Sequence, residues 1–167
     1  MKRLVTMLLL AMSLLAARPF DISPQQFVDR LQRYFKQCGL SHSIRLKKSQ
    51  PGRYILTLDR YAEFRILYKN PEKVDSVYVE YSGKLGSMIP TMRIANQTIP
   101  FIGALTGKPC KQLKNWLKYV SKIDDTIKST LKDDRHPMAQ LRTDGLLIDF
   151  TKVGDHWYEV SFIREGK

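Results

Sequence analysis

Residues 110–131, CKQLKNWLKYVSKIDDTIKSTL, are the most regularly periodic segment of the chain after its N-terminus. Apolar residues recur there every three or four positions, a spacing that places them on one side of a helix. These residues are Leu113, Trp116, Leu117, Val120, Ile123, Ile127 and Leu131. The opposite side carries Lys111, Lys114, Lys118 and Lys122. The pattern predicts an amphipathic helix over Cys110–Leu131 that packs its Trp116 side on the strand-like segments flanking it.

A second helix is predicted near the start of the folded region, in ISPQQFVDRLQRYFKQCGL, residues 22–40. Ser23 is a suitable N-cap, Pro24 suits the first helical position, and Gln26 completes a capping box with Ser23. Gly39 is suited to the left-handed backbone conformation that commonly ends a helix. Both ends of this helix are therefore encoded locally.

Six segments alternate apolar and polar residues, as half-buried strands do. The first four are residues 44–47, 53–59, 63–69 and 74–81, and the last two are residues 146–152 and 156–164. Turns of two to five residues join the first four, and Val153-Gly154-Asp155 joins the last two. Connections this short favour antiparallel neighbours.

Residues 82–97 have no clean period and contain two glycines and a proline. They are interpreted as a connecting loop with a short strand at Thr91–Ala95, followed by a short helix at Thr98–Leu105. The whole pattern predicts an α+β fold, with a mostly antiparallel sheet of about five to six strands packed on one face by two main helices. The order of elements also suggests a duplicated helix-plus-sheet unit.

The first 17 residues resemble an export signal. Lys2 and Arg3 give a positive start, residues 4–17 are almost wholly apolar, and Ala16 and Ala17 are small residues suited to cleavage. The apolar run is shorter than the about 18 to 20 residues of a membrane-spanning helix. We therefore predict a signal peptide at 1–17, a single α+β domain at 18–167 and a periplasmic or secreted location. The alternative is an inner-membrane protein anchored by an uncleaved N-terminal segment.

The chain contains two cysteines, Cys38 and Cys110. In an oxidising compartment they predict one disulfide, which closes a loop of about 72 residues and stabilises the fold by about 4 kcal/mol. The alternative is two buried free thiols. Their spacing fits neither a metal site nor a CxxC redox pair.

The excess of positive charge is the one feature of the sequence that is unusual for a folded domain. The formal net charge is +12 at pH 7, and removing residues 1–17 with Lys2 and Arg3 leaves +10. We predict a binding site for an anionic partner, composed of Lys111, Lys114, Lys118, Lys122, Arg45, Lys47 and Arg65. The alternative is an ordinary solvated face. Nucleic acid is disfavoured because the chain is predicted to be exported and carries no recognised binding motif.

No constellation of residues predicts a specific chemistry. The three histidines are His42, His136 and His156, and none has the spacing of a catalytic or metal motif. We therefore predict no catalytic residue, no metal and no cofactor, and a protein that is not an enzyme. A hydrolase with an unrecognised site remains an alternative, and it requires a cleft that gathers a histidine with a carboxylate or serine.

Two classes of binding protein fit these features. One acts through an acidic or neutral protein partner in the cell envelope, as an inhibitor or immunity-type factor does. The other binds an anionic envelope polymer or membrane surface through the lysine-rich helix face. The dependence of affinity on salt distinguishes the two classes. Binding to a polymer weakens steeply with ionic strength, whereas a packed protein interface keeps most of its affinity.

Overall fold

The structure is a computed structural model, and it describes residues 19–82, 91–108, 116–132, 138–154 and 157–166. Three helices lie in these ranges: α1 (Pro24–Gln37), α2 (Thr91–Thr106) and α3 (Trp116–Lys132). Seven strands accompany them: β1 (Arg45–Gln50), β2 (Arg53–Asp59), β3 (Ala62–Leu67), β4 (Ser76–Ser82), β5 (Met138–Thr143), β6 (Leu146–Gly154) and β7 (Trp157–Arg164). The predicted signal peptide at 1–17 lies outside the described residues.

All seven strands form one antiparallel sheet in the order β1-β2-β3-β4-β7-β6-β5. Strands β1 to β4 follow one another as a meander, and so do β5 to β7. The last strand of each meander pairs with the other, so the β4–β7 ladder joins the two halves at the centre of the sheet. The predicted α+β class and antiparallel sheet are confirmed.

The sheet has one strand more than the five to six predicted, because the sequence pattern missed β5. Only Leu141 of this edge strand is buried, so the alternation of a half-buried strand is absent. Asp144 and Gly145 connect β5 to β6 with φ of 54° and 74°. Such positive φ values at both turn residues are those of a tight hairpin, for which Asp-Gly is a favoured pair.

Helix α1 begins and ends as its sequence predicts. Ser23 Oγ accepts from the backbone N–H of Gln26, while Gln26 Oε1 accepts from the N–H of Ser23. Gly39 follows the helix with φ of 70°. Phe27, Leu31, Tyr34 and Phe35 lie on its buried side.

Helix α2 corrects the prediction for residues 91–105. The expected short strand at Thr91–Ala95 and short helix at Thr98–Leu105 are one continuous helix, Thr91–Thr106, with Pro100 inside it. This helix packs between α1 and α3, and its residues 97–105 are all buried. Burial on several sides removes the 3.6-residue period of a surface helix, and Pro100 suits the start of a helix better than its middle. The described part of the chain therefore has three main helices instead of the two predicted.

Phe101 of α2 joins the helix layer to the sheet. Its ring centroid lies 6.3 Å from that of Phe27 and 5.9 Å from that of Phe35, both on α1. On the other side it lies 5.3 Å from Phe64 of β3 and 5.4 Å from Phe162 of β7. These distances are within the favourable range for aromatic pairs.

Helix α3 has the predicted orientation over the part described. Ile123 and Ile127 are buried, while Lys118 and Lys122 are exposed on the opposite side. The helix packs on β5 and β6. Residues 110–115 of the predicted helix, with Lys111 and Lys114, lie outside the described residues. Within the described ranges, no helix combines the length and the apolar character needed to cross a bilayer.

The two halves of the chain share a plan but differ in their parts. Among the described elements, one helix precedes the four-strand meander and two helices precede the three-strand meander. The suggested duplication is therefore visible only as the common order of helix followed by meander.

Substituting Gly103 tests the close packing of α1 on α2. A Cβ at this position would lie 2.5 Å from Cδ1 and Cε1 of the Tyr34 ring. Gly103→Ala should therefore lower the free energy of unfolding by about 1–3 kcal/mol, measured by urea denaturation. In a Tyr34→Ala background the ring is absent, so the same substitution should cost little. An equal cost in both backgrounds would contradict this explanation.

Candidate functional site

The predicted basic residues lie at opposite ends of the sheet. Arg45 and Lys47 are on β1 at one edge, whereas Lys118 and Lys122 are on α3, which packs on β5 and β6. Five inter-strand spacings of about 4.8 Å separate β1 from β6, or about 24 Å. We call Arg45, Leu46, Lys47 and Lys48 the β1 edge, and Lys118 with Lys122 the α3 surface. The described part of the chain thus has two separate basic surfaces.

The β1 edge is exposed over its whole length, and Ser49, which follows it, is exposed as well. Arg45 pairs with Thr57 and Lys48 with Ile55, while Leu46 pairs with the buried Leu56. Since Leu56 faces the helices, Thr57 and Ile55 face away from them. A bulge between Leu46 and Lys48 adds one residue to β1. It places the charged side chains of Arg45 and Lys48 on the face of the sheet that none of the three described helices covers, called the helix-free face below, and leaves Leu46 on the other face.

The basic residues of this region differ in their partners. Lys47 Nζ lies 2.6 Å from Glu63 Oε2, and Arg65 forms an ion pair with Glu80. Arg65 is only 37 % exposed, so it contributes less than predicted to an open surface. Arg45 and Lys48 have no ion-pair partner among the described residues. These two cations therefore dominate the charge that the β1 edge presents to solvent.

Acidic residues gather at the centre of the helix-free face. Glu80 pairs in register with Glu63 on one side and with Glu159 on the other. Burial raises the pKa of Glu159, and the neighbouring Glu80 carboxylate raises it further. Asp149 is 4 % exposed and accepts from Ser161 Oγ at 3.4 Å, and its burial raises its pKa. The face is thus acidic at its centre and basic at its β1 end.

The α3 surface is simpler. Lys118 and Lys122 are one turn apart and exposed, and neither has an ion-pair partner in the part of the chain that the structure describes. Lys128, which follows Lys122 along the helix, is paired with Asp124. Like charges at this spacing repel by a few tenths of a kcal/mol, so this row is unfavourable for helix stability.

A polar cluster around Asp59 was not predicted from the sequence. Asp59 Oδ2 accepts from Arg93 Nη2 at 2.6 Å and from Gln97 Nε2 at 3.0 Å. Its Oδ1 accepts from the backbone N–H of Tyr61 at 2.7 Å. The contacts join the end of β2 to the first half of α2. Burial alone would raise the pKa of Asp59, but these donors outweigh it and hold the pKa below its ordinary value.

His42 completes this cluster from the segment between α1 and β1. Its Nδ1 lies 3.9 Å from Asp59 Oδ2, and its Nε2 lies 3.3 Å from Gln97 Nε2. Because the amide nitrogen of Gln97 is a donor, His42 Nε2 must accept, which assigns the proton of the neutral ring to Nδ1. Burial lowers the pKa of His42 and the Arg93 charge adds to this, while Asp59 opposes it. The Phe35 ring packs edge-on against His42, with centroids 5.0 Å apart.

The geometry of the Asp59 cluster is that of a structural contact, which holds the end of β2 against α2. Both oxygens of Asp59 already accept hydrogen bonds, and Arg93 also stacks on Tyr61 at 4.8 Å. Ser41 and Ser43 are exposed whereas His42 is not, as expected for neighbours in an extended segment. His136 and His156 lie outside the described residues. Among the described residues, no group of three or more His, Cys, Asp or Glu side chains could hold a metal ion.

A polar cleft of about 730 Å³ lies beside α1. Its lining includes Lys108, which pairs with Asp144, and Arg164, whose Nη1 lies 3.0 Å from Asp21 Oδ2. Arg30 donates to the backbone carbonyl of Ala104 at 3.2 Å. Positive and negative charges therefore compensate each other along this cleft, and it has no preference for an anion.

The predicted Cys38–Cys110 disulfide involves one described residue. Cys38 is the C-cap of α1 and packs partly buried against the core. No cysteine among the described residues is a free thiol. Cys110 lies outside the described residues, so the pairing of the two cysteines stays a prediction.

Replacing Asp59 tests the structural role of this cluster. Asp59→Asn removes the negative charge that Arg93 and Gln97 share, and it leaves the half-buried guanidinium without its counter-ion. We expect the free energy of unfolding to fall by about 1–3 kcal/mol in chemical denaturation. Asp29→Asn, at an exposed position of α1, is the matched control and should change stability by less than about 0.5 kcal/mol. Equal effects of the two substitutions would show that Asp59 has no special structural role.

The pH dependence of stability tests the protonation state of His42. Its folded-state pKa lies below the ordinary value of 6.5, so the unfolded chain takes up this proton first as pH falls. The contribution of the neutral His42 ring to the free energy of unfolding is present above about pH 6.5 and is lost as the pH falls below it. Thermal unfolding from pH 7.5 to 5 should therefore show a steeper loss of stability in the natural chain than in His42→Gln. The other two histidines are common to both proteins, so identical slopes would exclude His42 as the cause.

Comparisons with known proteins give no relative for this chain. No family model matches it, and neither a curated protein nor a solved structure is significantly similar to it. Its function is therefore argued from its own charge, exposure and geometry.

Proposed function

We propose that the chain is an exported, non-enzymatic binding protein that acts through an acidic protein partner in the cell envelope. An inhibitor or immunity-type factor is the class of protein that fits best. Export is proposed from residues 1–17, whose positive start, apolar run and small residues have the composition of a signal peptide.

The observation that carries the proposal is the combination of charge and apolar surface at the β1 edge. Arg45 and Lys48 are exposed and have no ion-pair partner among the described residues. Between them lies Leu46, which is 60 % exposed. In the described part of the chain, Val153 on β6 is the only other large apolar residue that is exposed. Protein interfaces combine an apolar centre with a charged rim that selects the partner. The β1 edge offers both elements within one short strand.

A second candidate function rests on the α3 surface. Lys118 and Lys122 are exposed at i,i+4 spacing, and neither forms an ion pair with a described residue, although Asp125 lies three positions after Lys122. An anionic envelope polymer or a membrane of anionic lipids would be attracted by such a row. Among the residues of α3 whose burial the structure describes, none is a large exposed apolar residue such as Leu46 of the β1 edge, and for that reason we rank this surface second.

Matched charge reversals distinguish the two surfaces. The mature chain is used to capture partners from a cell-envelope extract, and the affinity for a captured protein is then measured by calorimetry. Arg45→Glu with Lys48→Glu should weaken binding at least about tenfold, which corresponds to about 1.4 kcal/mol. Lys118→Glu with Lys122→Glu changes the net charge equally and should leave the affinity within about twofold.

Salt dependence provides the second readout. Binding of an acidic protein at the β1 edge should persist at moderate ionic strength, because part of the interface is apolar. Loss of binding only in the α3 variant, with a steep dependence on salt, would favour the polymer or membrane instead. Capture of a basic protein that ignores both charge reversals would refute the proposal.

A further inference from the structure

We infer that the β1 edge binds an extended acidic segment of the partner as an additional antiparallel strand of the sheet. The segment would alternate acidic and apolar residues, with its acidic side chains on the face of Arg45 and Lys48 and its apolar side chains on the face of Leu46. This inference rests on the proposed function and specifies how the partner is recognised.

The backbone of β1 is available for such pairing. β1 is the first strand in the sheet order, and among the described strands it pairs with β2 alone. An edge strand leaves the N–H and C=O groups of alternate residues directed away from the sheet. Exposure of every residue from Arg45 to Ser49 means that no described element covers these groups. Strand addition at an open edge is a common way of binding extended peptides.

The side chains of β1 define the chemistry of the added strand. Arg45 and Lys48 lie on the helix-free face, whereas Leu46 is on the face of the buried Leu56. Successive residues of a strand point to opposite faces, so an incoming strand meets cations on one face and an apolar side chain on the other. Acidic and apolar residues in alternation complement this pattern, and opposite charges across a strand pair are stabilising.

The same charges argue against a second copy of this chain as the occupant. Two β1 edges side by side would bring Arg45, Lys47 and Lys48 of each copy together, and like charges opposite each other are destabilising. Charged residues on an edge strand are a known device against such self-association. At the other edge, Arg142 near the end of β5 already lies 2.8 Å from Glu165. The sheet therefore presents its uncompensated edge cations at β1.

A synthetic peptide tests this mode of binding. The probe is a capped heptapeptide with glutamate at odd positions and valine at even positions, titrated into the full chain by calorimetry. We expect saturable binding together with slowed amide hydrogen exchange in β1. Lys48→Glu should weaken it at least tenfold, whereas Lys118→Glu, at the opposite end of the sheet, should leave it within twofold. No binding, or protection elsewhere than β1, would overturn the inference.

Backbone methylation separates strand addition from simple charge attraction. Two versions of the peptide are made, one N-methylated at the odd positions and the other at the even positions. In an antiparallel pair, only one of these sets directs its N–H groups at β1. The two versions should therefore differ in affinity at least tenfold. Equal affinities would exclude strand addition, because both peptides carry the same charge.

The outcomes also distinguish this inference from the proposed function. An acidic partner that binds through Arg45 and Lys48 while the two methylated peptides bind equally would refute strand addition and leave the proposed function intact. Sedimentation of the full chain as a dimer that Lys48→Glu strengthens would identify a second copy as the occupant and would overturn the inference.

Discussion

The packing of Phe101 is the contact on which the rest of the fold depends. Its ring contacts two rings of α1 and one ring each from β3 and β7. It thereby links both halves of the chain, since β3 belongs to the first meander and β7 to the second. A helix can carry such a residue at its centre only when it is enclosed on several sides, as α2 is. The architecture is therefore a layer of three helices organised around the middle one.

The strands that alternate clearly and the caps of α1 could be predicted from sequence, because both depend on neighbours a few residues apart. Helix α2 could not, since full enclosure removes the periodicity of a half-buried helix, and Pro100 suggests an interruption that does not occur. Strand β5 was missed because it buries a single residue, Leu141, although Asp144-Gly145 was a usable hairpin signal.

The polar features of the molecule were less predictable than its core. The Asp59 cluster assembles side chains from three segments distant in sequence, and no local pattern indicates such a meeting. Recognising 91–106 as a helix would have placed Arg93 and Gln97 one turn apart on the same side. The distribution of lysines was visible in the sequence, but their separation into two surfaces follows from the strand order. The bulge in β1 decides which face each cation occupies, and a bulge has no reliable local signature.

The β4–β7 ladder at the centre of the sheet has a consequence for how the chain folds. Each meander is built from contacts between neighbours in sequence, whereas this ladder joins strands separated by roughly 80 residues, a separation that slows pairing. When synthesis proceeds from the N-terminus, β4 is complete long before β7 leaves the ribosome. Until that last strand arrives, the hydrogen-bonding edge of β4 is open in an otherwise assembled meander. The chain is therefore most prone to aggregate, and most in need of a chaperone, before β7 pairs with β4 and completes the packing around Phe101.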